Sequence, residues 1–188
     1  MITFLLHHQA DLIEAFLSSQ RREGRLRGCE VRTLIEPRPL GTGGAVAYAV
    51  RQFSLTDSFL VTNADTWLGT GIQQLSTTEL PAMAIVQVEH AERYGSVRIE
   101  QDKVVAFEEK QNSAAAGWIN AGLYHLHADL FRNLDDQPFS LERELFPTLV
   151  AAGRLQSVPL KTDFIDIGIP EDYFRFCRWI ESEKTGVL

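Results

Sequence analysis

Short apolar runs of strand length alternate with amphipathic helical stretches through the first half of the chain, and this alternation narrows the fold more than any other feature. Residues 2–6, 31–35 and 59–62 read as strands. Between them, Leu12, Ile13, Phe16 and Leu17 share one face of residues 11–20. Ala45, Val46, Ala49, Val50 and Phe53 do the same over residues 44–53. Such spacing marks helices with one apolar side. The order β-α-β-α-β predicts a parallel sheet with helices on its faces. From Met83 onward, runs at 83–88, 96–99, 104–107, 118–124 and 155–160 crowd together with few helices between them. They predict antiparallel or mixed additions to that sheet. Tyr173, Phe176, Cys177 and Ile180 give a last helix over residues 171–183. The polar, Ala-rich residues 111–117 read as a surface loop, and no linker or repeat divides the 188 residues. One domain spanning 1–188 is the expectation.

Charge removes one class of partner. Eighteen Lys and Arg face 25 Asp and Glu, a net charge of −7, with no basic run. A nucleic-acid backbone binder needs the opposite balance, whereas a phosphorylated small molecule needs only local donors or a metal. Hydrophobic residues at 45% and charged residues at 23% exclude a disordered chain. Cys29 and Cys177 are too few for a disulfide scaffold and lack zinc-type spacing, so a reduced, cytoplasmic protein is expected. The opening Met-Ile-Thr-Phe-Leu-Leu has no basic flank and ends early at His7-His8, unlike a signal peptide. No run approaches the ~18 apolar residues of a membrane span, so no membrane association is expected. His7 and His8 have no third ligand in the sequence pattern to make a metal site.

Five stretches could carry chemistry. Leu40-Gly41-Thr42-Gly43-Gly44-Ala45 lies between a strand and a helix. Its glycines let backbone approach a ligand, and the helix start offers amide donors. It is neither a Walker A loop nor a dinucleotide fingerprint, and a tight strand-to-helix turn would read the same way. Phe59-Leu60-Val61-Thr62-Asn63-Ala64-Asp65 ends an apolar strand in a carboxylate, where ligands meet open parallel sheets. A turn or capping aspartate would look alike. Phe164-Ile165-Asp166-Ile167-Gly168 repeats the arrangement before a helix starting at Pro170. An acid buried among Phe and Ile needs a partner, and Mg²⁺ shared with Asp65 would supply one. Glu108-Glu109-Lys110 and Asn120-Ala121-Gly122 offer groups suited to sugar hydroxyls and a phosphate, or solvated strand ends.

In this order, these segments resemble the sugar-1-phosphate nucleotidyltransferase (NDP-sugar pyrophosphorylase) family. Glu36-Pro37-Arg38-Pro39-Leu40-Gly41-Thr42-Gly43-Gly44-Ala45 is similar to its nucleotide-base loop, and Asn63-Ala64-Asp65-Thr66 to its first metal motif. Tyr94-Gly95, Glu109-Lys110 and Asn120-Ala121-Gly122 resemble its sugar-phosphate pocket. Asp166-Ile167-Gly168-Ile169-Pro170-Glu171-Asp172-Tyr173 resembles its second metal motif and closing helix. The spacing is most like that of mannose- and heptose-1-phosphate guanylyltransferases.

The resemblance implies an α/β, Rossmann-like three-layer (GT-A-like) fold with a mixed, mostly parallel central sheet. It implies NTP plus sugar 1-phosphate giving NDP-sugar plus diphosphate, by in-line attack on the α-phosphorus. Catalytic roles would fall to Asp65, Asp166 and Lys110, with Mg²⁺ on Asp65 and Asp166. Glu36, Leu40, Gly41, Thr42, Gly43 and Gly44 would hold the nucleotide, and Gly95, Glu109, Asn120 and Gly122 the sugar. GTP is favoured, because the Glu36 carboxylate can accept both donors on guanine's Watson–Crick edge.

Three departures from the pattern stand out. Ala64 replaces a usual Gly, which is harmless if its φ is negative. Ile169 stands where a capping Thr is usual, at a cost of about 0.5–2 kcal/mol in helix stability. No strand with a Gly-rich, Arg-containing loop precedes Ile2, so the family's first βα unit is expected to be missing from these residues. The 188 residues alone are therefore expected to turn over poorly, with self-association through an open strand edge, as a homo-oligomer, or marginal stability as the accompanying sign. Two rival readings remain: a non-catalytic remnant that binds a sugar phosphate or a partner, and a metal-dependent glycosyltransferase.

Overall fold

The computed structural model describes residues 1–91, 94, 96–108, 116–135 and 137–185. Among these residues, ten strands and five α-helices follow in order: β1 (Ile2–Leu6), α1 (Ala10–Arg22), β2 (Val31–Ile35), α2 (Gly41–Gln52), β3 (Ser58–Thr62), β4 (Thr66–Leu68), α3 (Ile72–Ser76), β5 (Ala82–Val88), β6 (Ser96–Glu100), β7 (Lys103–Glu108), β8 (Gly117–His127), α4 (Phe146–Ala151), β9 (Gln156–Leu160), β10 (Phe164–Asp166) and α5 (Pro170–Thr185). The chain forms two compact units. One comprises Met1–Asp57 with Ala128–Phe146, and the other Ser58–His127 with Pro147–Leu188.

In the first unit, β1 and β2 pair in parallel, with Ile2 opposite Val31 and Leu6 opposite Ile35. The helix joining them, α1, ends on Arg21 and Arg22, cations that complement its carboxyl end. Arg21 also donates from Nη2 to the Val31 carbonyl at 2.7 Å. α2 is built from small residues, and Gly43, Gly44, Ala45, Val46, Ala47, Ala49 and Val50 are buried along it. A helix with so little side-chain bulk lets neighbouring backbone approach closely.

The second unit carries a six-stranded sheet in the order β3-β8-β5-β9-β7-β6 and a two-stranded sheet, β10-β4. Here the mostly parallel expectation is corrected. β5 runs parallel to β9, while the pairs β3–β8, β5–β8, β6–β7 and β7–β9 are antiparallel. Connection length accounts for β6–β7, which are joined by two residues where parallel neighbours need a crossover of roughly a dozen or more. The other antiparallel pairs join strands that are distant in sequence. Gly117, assigned to a loop from composition, begins β8 instead; residues 111–115 of that segment lie outside the described residues.

The second unit's core gathers Leu75, Ala82, Ala84, Val86, Ile119, Ala121, Leu123, Val158 and Leu160 around β5 and β8. At ~25 cal/mol per Å² of apolar area, burial on this scale is the main stabilising term. His125 is buried there with Nδ1 3.1 Å from the Leu75 carbonyl. Trp67 of β4 is gripped by α5, its ring centroid 4.5 Å from that of Trp179 and 6.0 Å from that of Phe176. Among the described residues, no helix is long and apolar enough to cross a membrane.

Candidate functional site

β3 ends at Thr62, and the turn at residues 63–66 hands the chain to β4. Asp65 is exposed in that turn. Its carbonyl accepts from the Ile167 N–H at 2.8 Å, tying the turn to the segment after β10. The β4–β10 register sets Thr66 opposite Asp166. Asp166 Oδ1 accepts from the Gly168 N–H at 2.8 Å. A Cβ on Gly168 would lie 3.0 Å from Asp166 Oδ1 and 3.6 Å from Asp65 Oδ2. Two carboxylates remote in sequence thus converge on one point, and glycine there leaves the space between them open.

The expected burial of Asp166 is corrected in degree. Ile165 is buried, but Asp166 is half-buried, because strand alternation turns it to the opposite face. Ala64 is unstrained: among the described residues, the non-glycine positions with positive φ are Gln9, Ser54 and Gln101. Among the described residues, no group of three or more His, Cys, Asp or Glu side chains is arranged to hold a metal.

Asn120 and Gly122 lie where β8 bulges. Between the pairs Met83–Tyr124 and Ile85–Asn120, the single residue Ala84 faces three residues of β8. Bulges of this kind bend a strand and re-aim what it carries. Gly122 has φ +69 at the bulge, and a Cβ there would lie 3.1 Å from both Asn63 Nδ2 and Thr66 Oγ1. Gly122 donates its N–H to Asn120 Oδ1 at 2.9 Å and accepts the Asn63 N–H at 2.8 Å. Asn120 Nδ2 donates to the Tyr124 hydroxyl at 2.8 Å. Gly95, Glu109 and Lys110 lie outside the described residues.

The nucleotide-loop candidates belong to the first unit. Glu36 Oε2 accepts from the Leu40 N–H at 2.9 Å, closing the turn between β2 and α2 over a fully buried Leu40. The glycines after it face residues 137–139. Gly41 has φ +70, and a Cβ there would lie 2.6 Å from the Phe139 carbonyl oxygen. A Cβ on Gly43 would collide with the Phe139 ring, and one on Gly44 would come within 3.0 Å of the Gln137 carbonyl oxygen. The Phe139 carbonyl accepts from the N–H groups of Gly43 at 3.0 Å and Gly44 at 3.3 Å. Two of the helix's amide donors, expected from sequence to await a ligand, are thereby satisfied within the protein. Thr42 Oγ1 donates to Glu142 Oε2 at 2.7 Å and accepts the Leu141 N–H at 2.9 Å. Sequence reasoning missed residues 137–142, because nothing local links them to α2.

At the start of α5, Ile169, Tyr173 and Phe174 are exposed. The Cys177 thiol, hydrogen-bonded one turn on, raises the Tyr173 hydroxyl pKa above its usual value.

Residues 4–183 match the family model described as nucleotidyl transferase. The chain is 35% identical over 152 residues to the D-glycero-alpha-D-manno-heptose 1-phosphate guanylyltransferase of Campylobacter jejuni, covering 79% of this chain and 67% of that protein. It is 30% identical over 170 residues to the mannose-1-phosphate guanylyltransferase of Mycobacterium tuberculosis, covering 86% and 47%. The chain thus spans two thirds of the heptose relative and about half of the mannose one. The crystal structure of HddC from Yersinia pseudotuberculosis superposes with a TM-score of 0.81 at 31% identity, over 95% of this chain and 78% of that one. A second structure of HddC, complexed with GMP-PN, gives 0.80 at 30% identity. The α/β nucleotidyltransferase fold expected from the motifs is the fold this chain shares with them.

Proposed function

The chain belongs to the nucleotidyl transferase family, and from that premise we propose that it carries the chemistry of a sugar-1-phosphate guanylyltransferase acting on a heptose- or mannose-type sugar. The observation that carries this reading is the convergence of Asp65 and Asp166 beside Gly168. Two hard carboxylate oxygens suit Mg²⁺, which usually takes one or two protein carboxylates and completes its shell with water and substrate phosphates. Asp65 and Asp166 would hold it. When bound, Mg²⁺ supplies charge neutralisation for the phosphates.

The residues themselves mainly position. Reaction by this class joins a sugar-phosphate oxygen to the α-phosphorus of the nucleotide and breaks the bond to pyrophosphate, so alignment and electrostatics dominate. The turn at 63–66 and the loop after β10 fix the two carboxylates from separate strands. Lys110, by its motif, would meet the sugar phosphate, and Gly95 and Glu109 the sugar.

Pyrophosphate release from GTP, with Mg²⁺ and heptose or mannose 1-phosphates, tests the proposal. It is measured on the chain and on a form extended before Met1 by a Gly-rich, Arg-containing βα segment of the kind the family resemblance implies. GTP-dependent pyrophosphate release, at least from the extended form, is the expected result. GDP release from a GDP-sugar, with no pyrophosphate from either form, would overturn it in favour of glycosyl transfer.

Guanine preference is argued from Glu36. Its carboxylate accepts the Leu40 N–H through Oε2 and retains acceptor capacity for the paired donors of guanine. Glu36→Gln keeps an acceptor for Leu40 but presents an amide donor to the base. The variant is expected to bind GTP ~10-fold or more weakly, the scale of a lost charge-assisted pair, with UTP binding unchanged. Calorimetry on the parent and variant checks this; equal parent affinities for GTP and UTP would remove the assignment.

A further inference from the structure

We propose that the buried Tyr124, acting through Asn120, is a positioning residue that sets the place of Asp65 through the β8 bulge. This inference rests on the reading of Asp65 as a metal ligand and adds the device that aims it. The Tyr124 side chain is fully buried, so its hydroxyl is oriented by packing and held away from solvent. That hydroxyl accepts from Asn120 Nδ2 at 2.8 Å, which fixes the amide plane. The other end of the same amide, Oδ1, accepts the Gly122 N–H at 2.9 Å and holds Gly122 at φ +69. In that conformation the Gly122 carbonyl accepts the Asn63 N–H at 2.8 Å, two residues before Asp65. Each link is a single hydrogen bond between groups that are buried or half-buried.

Each end of the Asn120 amide makes one hydrogen bond along β8 and keeps a further donor and a further acceptor site, so bracing the turn is compatible with the sugar contact that the family resemblance implies. β8 also meets the turn closely at the bulge, where a Cβ at Gly122 would lie 3.1 Å from both Asn63 Nδ2 and Thr66 Oγ1. A small shift in the bulge therefore moves the turn, and a ligand displaced by a fraction of an ångström binds a small cation poorly.

Two readouts test the chain of bonds separately. Amide hydrogen exchange at Asn63 reports the link from Gly122, and Mn²⁺ binding, followed by its paramagnetic resonance signal, reports the carboxylates. Tyr124→Phe keeps the ring and removes only the hydroxyl. It is expected to speed Asn63 exchange and to weaken Mn²⁺ binding ~3–10-fold, the scale of one neutral hydrogen bond. Asn120→Ala removes both links and is expected to weaken Mn²⁺ ~10–100-fold, as loss of a ligand's supporting partner typically does. The double variant is expected to be no weaker than Asn120→Ala alone, because both residues act through one path. Val104→Ala, in β7, is the control for general destabilisation and is expected to leave Mn²⁺ binding unchanged. Unchanged Asn63 exchange in both Tyr124→Phe and Asn120→Ala overturns the brace. If exchange rises in both while Asp65→Asn leaves Mn²⁺ binding intact, the brace stands and the metal assignment of Asp65 falls.

Discussion

Asp65→Asn and Asp166→Asn are each expected to lower Mn²⁺ affinity on the order of 10²-fold, with little change in melting temperature. Loss of a supporting partner alone costs ~10–100-fold in such sites, and removal of a direct ligand belongs at or beyond the upper end. The substitution is chosen because it removes charge while keeping shape. Asparagine at 166 retains an oxygen for the Gly168 N–H, which Asp166 Oδ1 now accepts at 2.8 Å. Asp65 is exposed, and the bond that ties its residue to Ile167 is made by the main-chain carbonyl. Stability therefore has little stake in either side-chain charge. The double variant is expected to show no measurable site. If Asp166→Asn binds Mn²⁺ as the parent does, Asp166 shapes the loop at Gly168 and Asp65 alone holds the cation.

Gly41→Ala is expected to destabilise the protein by about 2–4 kcal/mol. Left-handed backbone costs an L-residue roughly 1–2 kcal/mol, and the added methyl must also displace main-chain oxygen rather than a flexible side chain. At Gly41 both apply, with φ +70 and the Phe139 carbonyl oxygen 2.6 Å from the new Cβ. Gly153 supplies the comparison, because it has φ +64 and nothing within 4 Å of an added Cβ. Gly153→Ala is expected to cost only the conformational part, about 1–2 kcal/mol. For a chain of this length, 1 kcal/mol moves the midpoint by ~2–4 °C, so thermal unfolding of the two variants side by side resolves the difference. Equal midpoints would mean that residues 137–139 yield freely to the methyl.

The regular elements were legible where a single segment carries its own pattern. The expected ranges for β1 and β2 coincide with those observed, and α1, α2 and α5 begin within three residues of the periodic runs that predict them. Their apolar residues recur at the period of the element, which is all such a reading uses. Sheet direction was legible in part, since the β-α-β start predicted the parallel β1–β2 pair and the crowding after Met83 predicted antiparallel or mixed additions. Strand order was not, because it depends on which strands meet. β8 lies between β3 and β5, and no residue in β3 announces that partner. The same limit applied at the candidate site. Asp65 and Asp166 stand at strand ends and could be singled out by type and position. Tyr124 could not, because a tyrosine in an apolar strand reads as core until its hydroxyl is seen on Asn120. Glycines 41, 43 and 44 signalled close approach, and the backbone and ring that approach them belong to Gln137 and Phe139.

The clamp that Phe139 places on α2 also sets an order of assembly. Its compact unit is discontinuous in sequence, with Ser58–His127 interposed between its two parts. As the chain leaves the ribosome, α2 emerges long before the carbonyl that caps Gly43 and Gly44. At ~5–20 residues added per second, the interval lasts several seconds, far longer than a helix needs to form. During that time the amino end of α2 lacks its cap, and the apolar seat of Phe139 faces water. Translation thus delivers the receptacle first and the plug later. A ribosome stalled just short of Phe139 would carry an α2 open to a nascent-chain chaperone, and one stalled well past Phe146 would not.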